Sequence, residues 1–145
     1  MKHLVTAAEI NASAERVWQV LTDFAAYPDW NPFIRAIEGR PELGARLRVH
    51  LHPSWRGPMT LRVTIERLIP NQALSWSGRI VAVPGLLSGE HSFGIEPLRS
   101  DGVRFSHGER FSGLLVPLLA GKLDQGTRRD FEAMNAALKA RAEAS

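Results

Sequence analysis

Three ionisable side chains fall close together near the end of the chain, in "EHSFGIE" (residues 90–96) and "VRFSHGERF" (residues 103–111). In a strand, alternate residues share a face. Phe93 and Ile95 mark the apolar face of the first segment, and His91 shares it; Val103, Phe105 and Phe111 mark that of the second, which His107 and Glu109 share. If a five-residue loop from Leu98 to Gly102 joins the strands, Phe93 opposes His107 and His91 opposes Glu109. A three-residue loop would set His91 against His107 instead; either register keeps the three within about 5–8 Å of a neighbour. A lone carboxylate on an apolar face is costly, and a facing imidazole is its natural partner. Three uses of such a cluster stay open. It can satisfy itself and water inside the fold, orient a hydroxyl, carbonyl or carboxylate of a bound ligand, or act as an acid–base pair. In that last role His91 or His107 would work with Glu109 in cyclisation, dehydration or hydrolysis. Two His and one Glu also match a facial metal triad in number, but flanking ligands at helical spacing are missing, so no metal and no cofactor is expected.

The elements that would position this cluster follow from periodicity. "LVTAAEI" (residues 4–10) reads as a first strand. Ser13 is placed to cap a helix starting at Ala14, with Glu15 in its first turn and Val17, Trp18, Val20, Leu21 and Phe24 on its buried side. Pro28 disfavours helix at Tyr27 and should end it. From residue 34 the period changes to two: "IRAIEG", "RLRVHLH", "MTLRVTIER" and "ALSWSGRI" alternate apolar with polar residues as half-buried antiparallel strands do, and the two His/Glu-bearing strands follow. The chain closes on a helix whose stripe is Leu115, Leu119, Leu123, Phe131, Met134 and Leu138; Gly121 and Gly126 weaken its first half. Strand, short helix, about six strands and a long helix predict a curved antiparallel sheet gripping that last helix, with a pocket where the grip does not close.

Composition bounds the function. The 145 residues hold 44% hydrophobic and 23% charged residues, which suits one globular domain over residues 1–145. With no cysteine, disulfides, thiolate-bound zinc and a cysteine nucleophile are excluded. The longest apolar run, "GLLVPLLAG" (residues 113–121), falls short of the ~20 residues a membrane-spanning helix needs. No signal-peptide pattern is read at the start, so a cytoplasmic location is expected. The formal charge of +3 is carried by arginines scattered singly, only Arg128 and Arg129 adjoining, which argues against nucleic-acid binding. No glycine-rich phosphate loop and no nucleophile elbow is present. His3, His50 and His52 fall at outward or marginal strand positions and read as surface residues.

The stretch "INASAERVWQVLTDFAAYPDWNPFIRAIEG" (residues 10–39) resembles the opening of the START-like, helix-grip SRPBCC superfamily, in its polyketide cyclase/dehydrase-like branch. "GEHSFGIEPL" and "HGERFSGLLVPLLAG" resemble that branch's last strands and the start of its helix. The resemblance spans essentially the whole chain. It implies an α+β helix-grip fold, about seven strands around a long carboxy-terminal helix, with a cavity for a small hydrophobic ligand such as a lipid or polyketide. The family also contains cyclases, so a cyclase or dehydratase using His91 or His107 with Glu109 is the alternative, and an interaction protein with a filled core the second. The expected cavity wall is Met59, Leu61, Trp76, His91, Phe93, His107, Glu109, Phe111 and Leu123. Trp30, beside Phe33 in the Tyr-Pro-x-Trp-Asn-Pro segment, is carried as a candidate wall residue, with simple packing of the helical corner as the alternative. The loop "VAVPGLLSG" (residues 81–89) is read as a buried tip or, alternatively, a gate built on Leu86 and Leu87. A small hydrophobic molecule is the expected partner, and homodimerisation is left open.

Overall fold

A computed structural model of the chain describes residues 1–80 and 83–144. Strand β1 (Lys2–Ile10) leads to helix α1 (Ala14–Thr22), a single 3-10 turn (Phe24–Ala26) and the one-turn helix α2 (Tyr27–Trp30). Six strands follow without interruption: β2 (Ile34–Glu38), β3 (Arg46–Leu51), β4 (Met59–Ile69), β5 (Ala73–Arg79), β6 (Ser88–Pro97) and β7 (Val103–Ser112). Helix α3 (Val116–Glu143) ends the fold. The seven strands form one antiparallel sheet in the order β1-β7-β6-β5-β4-β3-β2. This is the helix-grip arrangement expected from the element order.

Local chemistry explains the boundaries. Ser13 accepts a hydrogen bond from the Arg16 N–H and caps α1. Pro28 does not exclude helix at Tyr27, which keeps helical dihedrals (φ −53, ψ −40). The proline instead stands in the first turn of α2, where its missing N–H is not needed. Asn31, fully buried, then accepts from the N–H groups of Phe33 (2.9 Å) and Ile34 (2.8 Å), turning the chain sharply into β2. Tyr27 is buried and donates its hydroxyl to the Leu21 carbonyl at 2.6 Å, and burial pushes its phenol well above the usual range.

Since β1 and β2 are opposite edges of the sheet, α1 and α2 cross from one edge to the other. Register shifts at Ile34/Ala36 and Ile65/Arg67 bend the strands, as extra residues on one side of a ladder do. The hollow face so made holds the main core, where Leu4, Ile10, Leu21, Ile65, Leu74 and Phe105 meet Phe131, Met134 and Leu138 of α3. A second, smaller cluster of Leu87, Phe111, Val116 and Leu123 lies at the amino-terminal end of α3. No described helix is long and apolar enough to cross a membrane.

The carboxy-terminal end of α3 is tied down by polar groups. The Arg16 guanidinium donates to the carbonyls of Arg141 (3.1 Å), Ala144 (3.3 Å) and Ala142 (3.4 Å), which have no partner within the helix. Glu143 accepts from the Asn11 N–H, and Lys139 donates to the Glu9 carbonyl. Arg16→Ala is therefore expected to lower stability by about 1 kcal/mol in urea unfolding, with Arg16→Lys recovering less than half, because one ammonium cannot span three carbonyls.

Candidate functional site

The β6–β7 hairpin takes the five-residue-loop register: Pro97 pairs with Val103, Ile95 with Phe105, Phe93 with His107 and His91 with Glu109. Leu98 N–H closes the loop on the Gly102 carbonyl at 2.8 Å. His91, His107 and Glu109 are all buried on the hollow face, at 6%, 0% and 9% exposure.

They form one chain of hydrogen bonds that crosses from sheet to helix. Glu109 Oε1 lies 2.8 Å from His91 Nδ1, His91 Nε2 lies 2.6 Å from His107 Nε2, and His107 Nδ1 lies 2.9 Å from Asn135 Oδ1 on α3. Asn135 Nδ2 donates to Thr6 Oγ1 on β1 (2.8 Å), whose hydroxyl proton goes to the His107 carbonyl (2.9 Å). The directions follow from this far end. With its amide nitrogen committed to Thr6, Asn135 offers an acceptor to His107, and the Phe131 carbonyl adds another. Nδ1 of His107 therefore carries the proton. Burial, and then the charge of nearby His91, hold His107 well below the ordinary histidine range, so the ring is neutral and its Nε2 is a bare acceptor.

That fixes His91 in turn. Its Nε2–H must donate to His107, which leaves its Nδ1 facing Glu109 Oε1. Two lone pairs at that separation would repel, so one proton occupies the contact: on nitrogen, giving imidazolium and carboxylate, or on oxygen, giving imidazole and carboxylic acid. The pair is a one-proton store on the wall of a cavity.

The cavity has a volume of about 210 Å³ and lies between β3–β7 and the first half of α3. Its sheet wall includes Met59, Leu61 and Trp76, with His91, Glu109 and Phe111 beside them; Leu123 contributes from the helix. The space beneath this part of α3 is therefore not filled by side chains. Three expected wall residues lie elsewhere, however. Trp30 is half-buried against the core, its ring edge-on to Tyr27 at 5.1 Å, and serves as packing of the helical corner. Phe93 lies behind the wall between Trp76 (5.4 Å) and Phe105 (5.9 Å). His107 is covered by the Phe131 ring, stacked at 3.9 Å and 9°, and reaches the cavity only through His91. All three have the correct parity or segment; what hides them is depth, His107 lying under Phe131 of α3, Phe93 among the rings of Trp76, His91 and Phe105, and Trp30 against Tyr27.

Other residues join the wall, among them Phe33, whose ring the sequence places with Trp30 at the pocket mouth or in the core beneath it. Phe33, delivered by the Asn31 turn, lines the cavity with its ring 5.7 Å from Phe131. Trp55, from the loop between β3 and β4, packs on α3 at Gly126, where any Cβ would collide with the indole. The glycine that weakens the helix is thus the seat of a cavity residue. Asp130 is buried and both its oxygens accept from the Ser54 N–H (3.0 and 3.1 Å), holding the same loop to the helix. In the segment after β5, Val81 and Ala82 lie outside the described residues; Leu87 is buried in the cavity wall and the half-buried Leu86 accepts from the Leu115 N–H, whereas Val83, Pro84 and Gly85 are exposed, so the two leucines pack inward but the tip itself is not buried. His3 and His52 are exposed, and His50 bonds Glu38 and Thr60 at the surface.

Residues 1–143 match the model of a family described as polyketide cyclase / dehydrase and lipid transport. Among solved structures, a hypothetical protein from Helicobacter pylori superposes with a TM-score of 0.82 at 18% identity, over 98% of this chain and 88% of that one. The ZhuI aromatase/cyclase from Streptomyces sp. R1128 gives 0.75 at 19% identity, over 98% and 93%. A point mutant of norcoclaurine synthase from Thalictrum flavum, in complex with a transition-state analogue, gives 0.74 at 15%, over 97% and 93%. At such identities the likeness is one of fold. No curated protein sequence matches the chain.

The neutral, buried His107 makes stability depend on pH. Below an ordinary histidine value near 6.5, the unfolded chain binds a proton at this position that the folded chain refuses. His107 therefore contributes no pH dependence above about 6.5, and below it a loss of up to about 1.4 kcal/mol per pH unit. Denaturant unfolding at a series of pH values should show this acid-side slope in the native chain and a shallower one in His107→Gln.

Proposed function

This chain belongs to the polyketide cyclase / dehydrase and lipid transport family, and we propose that it binds a small hydrophobic ligand, lipid-, polyketide- or aromatic-like, in the cavity under α3. The observation that carries this reading is an apolar void with one buried ionisable pair, Glu109 and His91, in its wall. Small-molecule sites have this constitution: apolar surface supplies affinity and a few polar groups fix orientation. Trp76, Phe111, Met59 and Leu123 supply the first, and the Glu109 carboxyl the second.

A second reading, an acid–base catalyst of cyclisation or dehydration, is favoured by the single proton held between Glu109 and His91. A pair that holds one proton at fixed geometry can take one from a ligand carbon or oxygen and return it elsewhere, with His91 stabilising the carboxylate form. His107 and Asn135 do not touch the cavity contents in this scheme; they hold His91 in the donating tautomer.

Fluorescent hydrophobic probes are expected to bind saturably at a single site, and Leu123→Trp, which fills the void from the helix, should weaken them at least tenfold with α3 intact by circular dichroism. Unchanged probe affinity in that variant would remove the cavity from consideration. In a screen of polyketide-like substrates, the catalytic reading requires turnover that Glu109→Gln abolishes while probe binding persists.

A further inference from the structure

The hydrogen-bond chain limits what the cavity's polar end can receive. Oε1 of Glu109 is committed to His91, while Oε2 lies over Gly89, where any side chain would collide with it. No described residue donates to Oε2, and Glu109 keeps its 9% exposure toward the cavity that both residues line. In both arrangements of the shared proton, that proton sits in the Oε1···Nδ1 contact. Oε2 is then a carboxylate oxygen in one and an acid carbonyl oxygen in the other, and it presents lone pairs in each. His91 offers nothing more, since both its ring nitrogens are engaged.

The rest of the wall reinforces the polarity. The other carboxylate, Asp130, is also an acceptor and lies on the opposite, helical side. Among the described residues, the only cationic side chain in the lining is Arg56, which is exposed. An anionic ligand head would meet two carboxyl groups and one solvent-facing guanidinium. Size sets the scale of the ligand's enclosed part: about 210 Å³ exceeds the ~150 Å³ void that encloses a benzene ring and suits a body of about two fused rings.

We infer that the ligand carries a hydrogen-bond donor, a phenol, alcohol or amine N–H, that docks on Glu109 Oε2, and that its body is compact, about two fused rings. This rests on the binding role proposed above. A ketone, an ether or a carboxylate at the same place would oppose lone pair to lone pair, leaving a buried acceptor unsatisfied.

The test compares 2-naphthol, 2-methoxynaphthalene and 2-naphthoate by calorimetry and by quenching of tryptophan emission, Trp55 and Trp76 both being in the wall. The native chain should bind 2-naphthol roughly tenfold or more tightly than either of the others. In Glu109→Leu the naphthol and the ether should bind alike. In Glu109→Gln the amide nitrogen donates to His91 Nδ1 and leaves an oxygen over Gly89, so a smaller preference for naphthol should persist. An ether or naphthoate that equals naphthol in the native chain overturns the donor rule while leaving the binding role standing. So does a preference that survives Glu109→Leu, or a reversal in Glu109→Gln. If none of the three binds saturably, the binding role and this inference fall together.

Discussion

The structure depends on burying a neutral imidazole at the junction of sheet and helix. His107 lies fully inside, its ring flat against Phe131. An imidazole there is tolerable only if uncharged and bonded at both nitrogens, because an unpaired polar atom in an apolar interior costs several times what a satisfied one contributes. That demand propagates outward. It calls for an acceptor on α3, met by Asn135, and for a donor on β6, met by His91. Asn135 in turn needs Thr6 on β1, and His91 needs Glu109. Five side chains from four elements are thereby locked into one arrangement, and only its outer end, Glu109 with His91, meets the cavity.

The cavity itself results from what the sheet and helix leave unfilled. Toward the carboxy-terminal half of α3, Phe131, Met134 and Leu138 press into the hollow of the sheet and close it. Toward the amino-terminal half, the helix carries only Ala120, Gly121 and Lys122 between Leu119 and Leu123, with Gly126 one turn on, and the facing strand positions 78 and 89 are glycines. Side chains are too few there to meet in the middle. The β3–β4 loop roofs the gap, fastened by Trp55 on the bare backbone at Gly126 and by Asp130 on the Ser54 N–H.

Much of this was readable from the residues, because strand parity is a two-state property and one buried face decides it. The inward direction of His91, His107 and Glu109 followed from parity; whether His91 faces Glu109 or His107 turned on the loop length, and the five-residue loop of the fold sets it against Glu109. Depth did not, since parity says which face a residue occupies and not what covers it. His107 and Phe93 are covered by Phe131 and by neighbouring rings, and so lie behind the wall. Asn135 follows Phe131 by one helical turn on the inward face of α3, so its position was accessible to the same periodic argument that found the stripe. Trp55 and Asp130 carried no such signal: Trp55 on Gly126 and Asp130 on Ser54 join a short irregular loop to a distant helix, and only the folded chain brings loop and helix together. Pro28 misled for a local reason, the preference of the residue before proline being weaker than the packing that makes Tyr27 helical.

Helix α3 is held differently at its two ends. Its far end is tied by side chains, through Arg16, Asn11 and Lys139, while the stretch over the cavity begins at Leu115 without a side-chain cap and is held by backbone bonds to Gly85 and Leu86 and by the packing of Leu87, Phe111, Val116 and Leu123. The cavity's contents therefore press on the end that is held by packing and not on the one tied by side chains. Substitutions along Val116–Gly126 can widen or narrow the bore while the proton-holding wall, anchored nearer the tied end at Asn135, keeps its alignment.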